Sequence, residues 1–224
     1  MNAVGVQSIN GNSFISFLDN SKTFEMMKFA ITIIIENSKN EELKSQLNQI
    51  INSDELEIEN ILRTINQKDN YRILLNILEI LSPKSKTMKK LHDRIQNRPH
   101  EFKTKSKTVL ENLQKAMLIG FVFDEEIQNA LKLEKPHALI LDNYSVHHAI
   151  HFKELCALLN IKLIHLPPYS PKYNPIEQVW RTIKAIISRK YITTHEKLKD
   201  VFKTEFEKVV DNKSYWENWV VKFL

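Results

Sequence analysis

The 224-residue chain has one cysteine, three glycines and no long apolar run. A single cysteine excludes an intrachain disulfide and a cysteine-rich zinc site. Cys156 lies in HFKELCALL and reads as a small buried hydrophobe. So few glycines, beside a long Ile, Leu, Lys and Asn-rich middle, argue for much helix. The most apolar stretch, Phe29–Ile35, is far too short to span a bilayer, and no secretory leader is visible. The default expectation is a soluble cytoplasmic protein with no membrane partner. Charge is nearly balanced, with 32 bases against 27 acids, a net +5 and a pI near 9.1. That leans mildly toward a polyanionic partner. A hydrophobic content of 42% can fill a core, and the length suits one or two domains.

In chain order, Asn2–Ile9 and Ser13–Leu18 are β-branched and aromatic runs joined by Asn10-Gly11-Asn12, a β-hairpin signal. Asp19–Ser21 can cap a helix starting near Lys22. Residues 36–119 then read as helices over Asn40–Ile51, Ser53–Ile65, Asn70–Leu81, Lys86–Gln96 and Ser106–Ile119. Breaks fall at Asn52-Ser53, Ser82-Pro83 and Arg98-Pro99. Within this region Lys84–Lys115 carries ten bases and three acids. The arrangement suits either a solvated face or a clamp on a phosphate backbone. Gly120–Phe123 can be a short strand or a helix exit, and Asp124–Leu133 a short helix. Lys197–Val209 reads as a helix, and Ser214–Glu217 has capping-box spacing before a terminal one that would bury Trp216 or Trp219.

The densest chemistry lies between His137 and Ser188. Ala138–Leu141 is a short apolar strand ending at Asp142. A helical segment and a second strand, Ile161–Leu166, follow. The proline-rich turn Leu166–Pro175 leads to an amphipathic helix with Glu177 in its first turn. Asn174 and Pro175 suit the N-cap and first helical position. Ile176, Val179, Trp180, Ile183, Ile186 and Ile187 form one apolar stripe, with Glu177, Arg181, Lys184 and Ser188 on its flank. Two carboxylates at adjoining element ends suggest a metal site. Each also has a simpler reading: Glu177 as a capping-box acid, Asp142 as a strand-end turn residue. His147, His148 and His151 lack a fourth ligand at zinc-site spacing.

The strings Asp142-Asn143, His147-His148-Ala149 and Leu166-Pro-Pro-Tyr-Ser-Pro-Lys-Tyr-Asn-Pro-Ile-Glu-Gln-Val-Trp180 resemble the second half of a mariner-superfamily DDE transposase, of the insertion-sequence kind. The 34 residues between Asp142 and Glu177 match that family's spacing of its second and third acids. The resemblance implies an α/β, RNase H-like mixed sheet flanked by helices. Its catalytic domain would comprise residues 1–35 and 120–224, interrupted by an all-helical insertion at 36–119. It implies Asp142 and Glu177 as catalytic, metal-ligating acids for Mg²⁺ or Mn²⁺. Arg181, Lys184, Tyr169 and His148 are the DNA-contact candidates. The implied partners are transposon terminal inverted repeats, target DNA and a second copy in a homodimer, in a prokaryotic, nucleoid-associated setting. The family's first acid, on a central strand before the hairpin, has no counterpart: the earliest acid is Asp19. An N-terminally truncated reading frame, its neighbouring strand edges exposed and its cleavage activity impaired, is therefore expected. The alternative is a non-catalytic DNA-binding or oligomerisation remnant.

Overall fold

A computed structural model describes residues 2–18, 23–52, 75, 78, 79, 86–97 and 106–210. The hairpin strands β1 (Asn2–Val6) and β2 (Phe14–Leu18) pair antiparallel, Asn2 opposite Leu18 and Val6 opposite Phe14. Their side chains alternate between two hydrophobic clusters, as a period of two requires. Val4, Val6, Phe14 and Leu18 join the larger cluster, while Ala3, Ile15 and Phe17 join the smaller. The hairpin is therefore a layer with helices on both faces.

Helix α1 (Thr23–Asn37) lies on the larger-cluster side, burying Met26, Met27, Phe29, Ala30, Ile31, Ile33 and Ile34. A helix apolar over most of its circumference must sit inside a core. Here α1 packs against β2, α4 (Ser106–Val122) and α6 (Ile150–Leu158). Residues 41–52 form α2, whose Leu43, Leu47 and Ile50 enter the same cluster, as does Ile95 of α3 (Lys86–Asn97). On the other side of the hairpin, α7 (Ile176–Ile187) packs on α8 (His195–Val209) around Val179, Ile183, Phe202 and Phe206.

The second strand pair is a βαβ unit. Strands β3 (His137–Leu141) and β4 (Ile161–His165) pair parallel, with α6 as the crossover. Parallel strands need such a long connection. Before it, α5 (Glu125–Leu133) is capped by Asp124, whose Oδ1 accepts from Glu126 N at 2.9 Å and Ile127 N at 3.5 Å. Glu125 and Glu126 suit the positive end of that helix. The turn from α6 into β4 uses Asn160 at φ 56°, a left-handed conformation that asparagine tolerates. Cys156 is fully buried in α6, and burial pushes its thiol pKa up to about 12.

Several expectations are revised. The hairpin connection is a seven-residue loop rather than a tight turn at Asn10-Gly11-Asn12, and no glycine has positive φ. The loop is stapled to the end of α1: Asn12 N donates to Asn37 Oδ1 at 2.8 Å. A Cβ on Gly11 would come within 2.1 Å of Asn37 Oδ1, so any larger residue there must displace the side chain that makes this staple. Of the two readings of Gly120–Phe123, the helix exit is the one present: residues 120–122 are the last turn of α4. The expected cap at Asp19–Ser21, the Ser53–Ile65 helix, most of Asn70–Leu81 and the Ser214 capping box lie outside the described residues.

A mixed α/β architecture is present, but the described strands form two separate two-stranded sheets rather than one continuous sheet. The free edge of β3 and the strand β1 line a common cleft of about 1590 Å³. Their relative direction follows from hydrogen bonds. The loop after β1 is tied to the end of α1, where Ser38 Oγ donates to Glu134 Oε1 at 2.7 Å, just before β3 begins. The end of β1 thus lies near the start of β3, and the two strands run antiparallel across the cleft. Asp142 and Glu177 line the same cleft.

Gly5 lets α7 reach the hairpin. A Cβ there would lie 2.5 Å from Trp180 Cη2 and 3.0 Å from Phe206 Cε2, and those two rings are stacked 5.5 Å apart. Gly5→Ala should lower unfolding free energy by about 1–3 kcal/mol in urea titrations; an unchanged midpoint would show that Trp180 relaxes freely. His151 supplies a second test. Burial first, then the Lys115 charge, lower its pKa from 6.5 to about 4, against an opposing pull from Glu154. The unfolded chain takes up a proton that the fold refuses, so stability is full above pH 6.5 and falls as pH drops toward 4. His151→Gln should show a shallower decline between pH 7 and 5; equal slopes would eliminate this histidine as the source.

Candidate active site

Asp142 stands where β3 leaves its pairing with β4, and a local turn fixes its side chain. Its Oδ1 accepts from Tyr144 N at 3.1 Å, a bond between residues two apart that is characteristic of aspartate at turns. The same oxygen lies 2.9 Å from His147 Nδ1, which is also 3.2 Å from the Asp142 carbonyl oxygen. Both neighbours are acceptors, so Nδ1 must carry the hydrogen. The His147 ring is held edge-on to Tyr144 at 5.8 Å and against Phe152 at 6.1 Å. With 12% of its side chain exposed, it forms the inner wall behind a carboxylate that is 56% exposed.

The next residue joins this turn to the proline-rich loop. The Asn143 side-chain amide donates to the Leu166 carbonyl, and Leu166 N donates to the Leu141 carbonyl at 2.8 Å. The start of the Leu166–Pro175 loop is therefore pinned to the Asp142 turn. Further along, Tyr169 has φ 56° and is 103% exposed. A bulky side chain in the left-handed region costs roughly 1–2 kcal/mol, and no burial of the ring offsets it.

Glu177 is placed by packing. Val179 and Ile183 are fully buried, while Ile176, Trp180 and Ile187 pack around them. This anchors α7 so that Glu177, Trp180 and Lys184 face the cleft. The expected capping by Asn174 does not form. No side chain caps this helix, and its first turn closes through backbone bonds from Glu177 N to Asn174 O and from Gln178 N to Pro175 O. Glu177 makes no ion pair or side-chain hydrogen bond among the described residues, so its carboxylate is available.

The predicted site residues thus divide. Asp142, Glu177 and Lys184 line one cleft. Arg181 is exposed one turn along α7 but does not line it, and Tyr169 projects into solvent. His148 does not touch Asp142. It stacks on His165 with ring centroids 4.4 Å apart, and desolvation, then His165, Lys153 and His147, lower its pKa. His165 Nδ1 is buried without a hydrogen-bond partner among the described residues. The histidine that contacts the acid is His147. The sequence signal was its place five residues after Asp142, with room for one short turn between; the side-chain contact itself needed coordinates.

Two carboxylates with free oxygens can hold Mg²⁺ when substrate phosphates and water complete the coordination. No group of three or more potential metal-ligating side chains converges among the described residues, so no closed all-protein site is built.

His147→Ala should lower stability by about 1–3 kcal/mol, since it removes the bond to Asp142 and the contact with Phe152. His148→Ala should change it by under about 0.5 kcal/mol. Urea unfolding of both variants decides; equal effects would reject the assignment of His147 to the Asp142 turn.

A family model described as DDE superfamily endonuclease matches residues 85–199, a span containing Asp142, His147 and Glu177. No curated protein and no solved structure matches the chain.

Proposed function

The chain therefore belongs to the DDE superfamily endonucleases, and on that premise we propose that it is a mariner-type, insertion-sequence transposase domain acting on DNA at transposon ends. The supporting observation is the presence of Asp142 and Glu177 on one cleft, from separate elements, with Lys184 on the same helix face as Glu177. Asp142 and Glu177 would hold Mg²⁺ or Mn²⁺ together with phosphate oxygens of the DNA. A divalent ion bound there supplies Lewis-acid polarisation of the scissile phosphate and an activated oxygen nucleophile.

The protein's own groups have separable tasks. Asp142 offers its second oxygen while His147 and Tyr144 N hold the first. Glu177 offers a carboxylate from a helix locked by Val179 and Ile183. Lys184 places a cation toward phosphate, and Arg181 and Tyr169 extend from the rim toward DNA on either side. His148, exposed and stacked on His165, is the remaining DNA-contact candidate. Residues 36–119 are the proposed helical insertion, with Lys84–Lys115 as its phosphate-facing segment; Lys89, Lys90 and Arg94 of α3 are exposed there.

One observation favours a second reading, a DNA-binding or oligomerising module without catalysis: no three-ligand cluster exists among the described residues. A single assay separates the two. Nicking of inverted-repeat DNA is measured with Mg²⁺ and with Mn²⁺ for the chain, Asp142→Ala and Glu177→Ala. Metal-dependent nicking lost in both variants supports the nuclease. Absence of nicking, with binding that weakens steeply as salt rises, supports the binding module; absence of both defeats the two readings together.

A further inference from the structure

The two cleft acids stand on elements that are not packed on each other. Among the described residues α7 packs chiefly on α8, and α8 on β2; no comparable packing joins either helix to β3 or β4. Packing therefore orients α7 on the hairpin and reaches the Asp142 turn only indirectly. A direct route exists along the chain. Leu166 follows β4, and ten residues, 167–176, separate it from Glu177.

That route is stiff and held at both ends. Pro167, Pro168, Pro171 and Pro175 each fix φ, and each restricts the residue before it. Between them, Ser170 Oγ donates to the Pro168 carbonyl at 3.2 Å and Tyr173 N to the Ser170 carbonyl at 3.0 Å, closing the single helical turn Pro171–Tyr173. At the far end Glu177 N donates to the Asn174 carbonyl at 3.1 Å. At the near end Leu166 is held through both of its peptide groups. Its N–H donates to the Leu141 carbonyl at 2.8 Å, and its carbonyl accepts from the Asn143 side-chain amide. The first bond continues the β3–β4 ladder, whereas the second comes from the residue next to Asp142. Midway, Tyr169 stays at φ 56°. Such strain persists where the surroundings over-determine the backbone, and a segment held at both ends meets that condition.

We propose that Asn143 is a positioning residue for the acid pair: by clamping the Leu166 carbonyl it makes residues 166–176 a strut that sets the separation of Asp142 and Glu177. The metal-binding role of the pair rests on the function proposed above; the clamp does not. A merely local role, finishing the β3–β4 ladder, would stop at Leu166.

The test compares the full chain with Asn143→Ala, first by amide hydrogen exchange without metal. The Leu166 amide should exchange at least about fivefold faster in the variant. The Glu177 and Gln178 amides, at the far end of the strut, should speed by a similar factor, while those of His137 and Ile183 stay unchanged. The second arm follows paramagnetic broadening by Mn²⁺ alone. In the parent chain Asp142 and Glu177 should broaden at one common concentration; in Asn143→Ala, Glu177 should need at least about tenfold more Mn²⁺ than Asp142. Leu47→Ala, which removes a fully buried side chain of α2, should lower stability and keep the two acids together. Acceleration confined to Leu166, or spread to His137 and Ile183, overturns the proposal. So does a shared Mn²⁺ midpoint in Asn143→Ala, or a split one in Leu47→Ala. Broadening at neither acid of the parent chain would defeat the metal reading of the cleft instead, and hydrogen exchange would then decide the clamp alone.

Discussion

Backbone hydrogen bonding at the edges of β1 and β3 is the constraint on which the rest of this structure depends. Buried peptide groups need partners, and among the described residues both strands find strand partners on one side only. Helices supply the remaining stabilisation by covering the hairpin from two directions, α1 on one face and α7 with α8 on the other. The hairpin belongs to both clusters through alternate side chains, so it couples the larger core to the helix pair that carries Glu177. Packing across faces, rather than pairing along edges, holds the two halves of the cleft together.

The two acids show how differently a carboxylate can be placed. Asp142 is held by bonds local in sequence, from Tyr144 N and His147, with Asn143 tying the turn to Leu166. Glu177 has no such bonds among the described residues and takes its position from Val179, Ile183 and Trp180 on the same helix. The Asp142 turn should therefore keep its shape wherever β3 and β4 pair, while Glu177 moves with α7. Their separation is a property of the whole packing, and the fit of Trp180 over Gly5 bears on it directly.

Charge is arranged to match. The one buried carboxylate among the described residues, Glu205, is clamped by Lys190 at 2.8 Å and Lys208 at 3.1 Å, and these bonds lower its pKa. The acids of the cleft have no such cations bonded to them. A buried acid with two lysines is structural. An open acid beside an unbonded cleft-facing lysine is available for a ligand.

Local physics was readable from residue order alone. The period-two alternation of the hairpin, the apolar run of β3, the short helix before it, the amphipathic stripe of α7 and the buried character of Cys156 all depend on neighbours within a few positions. The long string from Leu166 to Trp180 also carried the family. Tertiary contacts decided the rest. Gly11 lies against Asn37, far along the chain, whose side chain a Cβ would displace; His147 rather than His148 reaches Asp142 because Phe152 and Tyr144 orient its ring. Asn174 fails to cap α7 because backbone bonds close that turn instead. Whether four strands make one sheet or two depends on pairing between segments more than a hundred residues apart, and no local pattern encodes that distance.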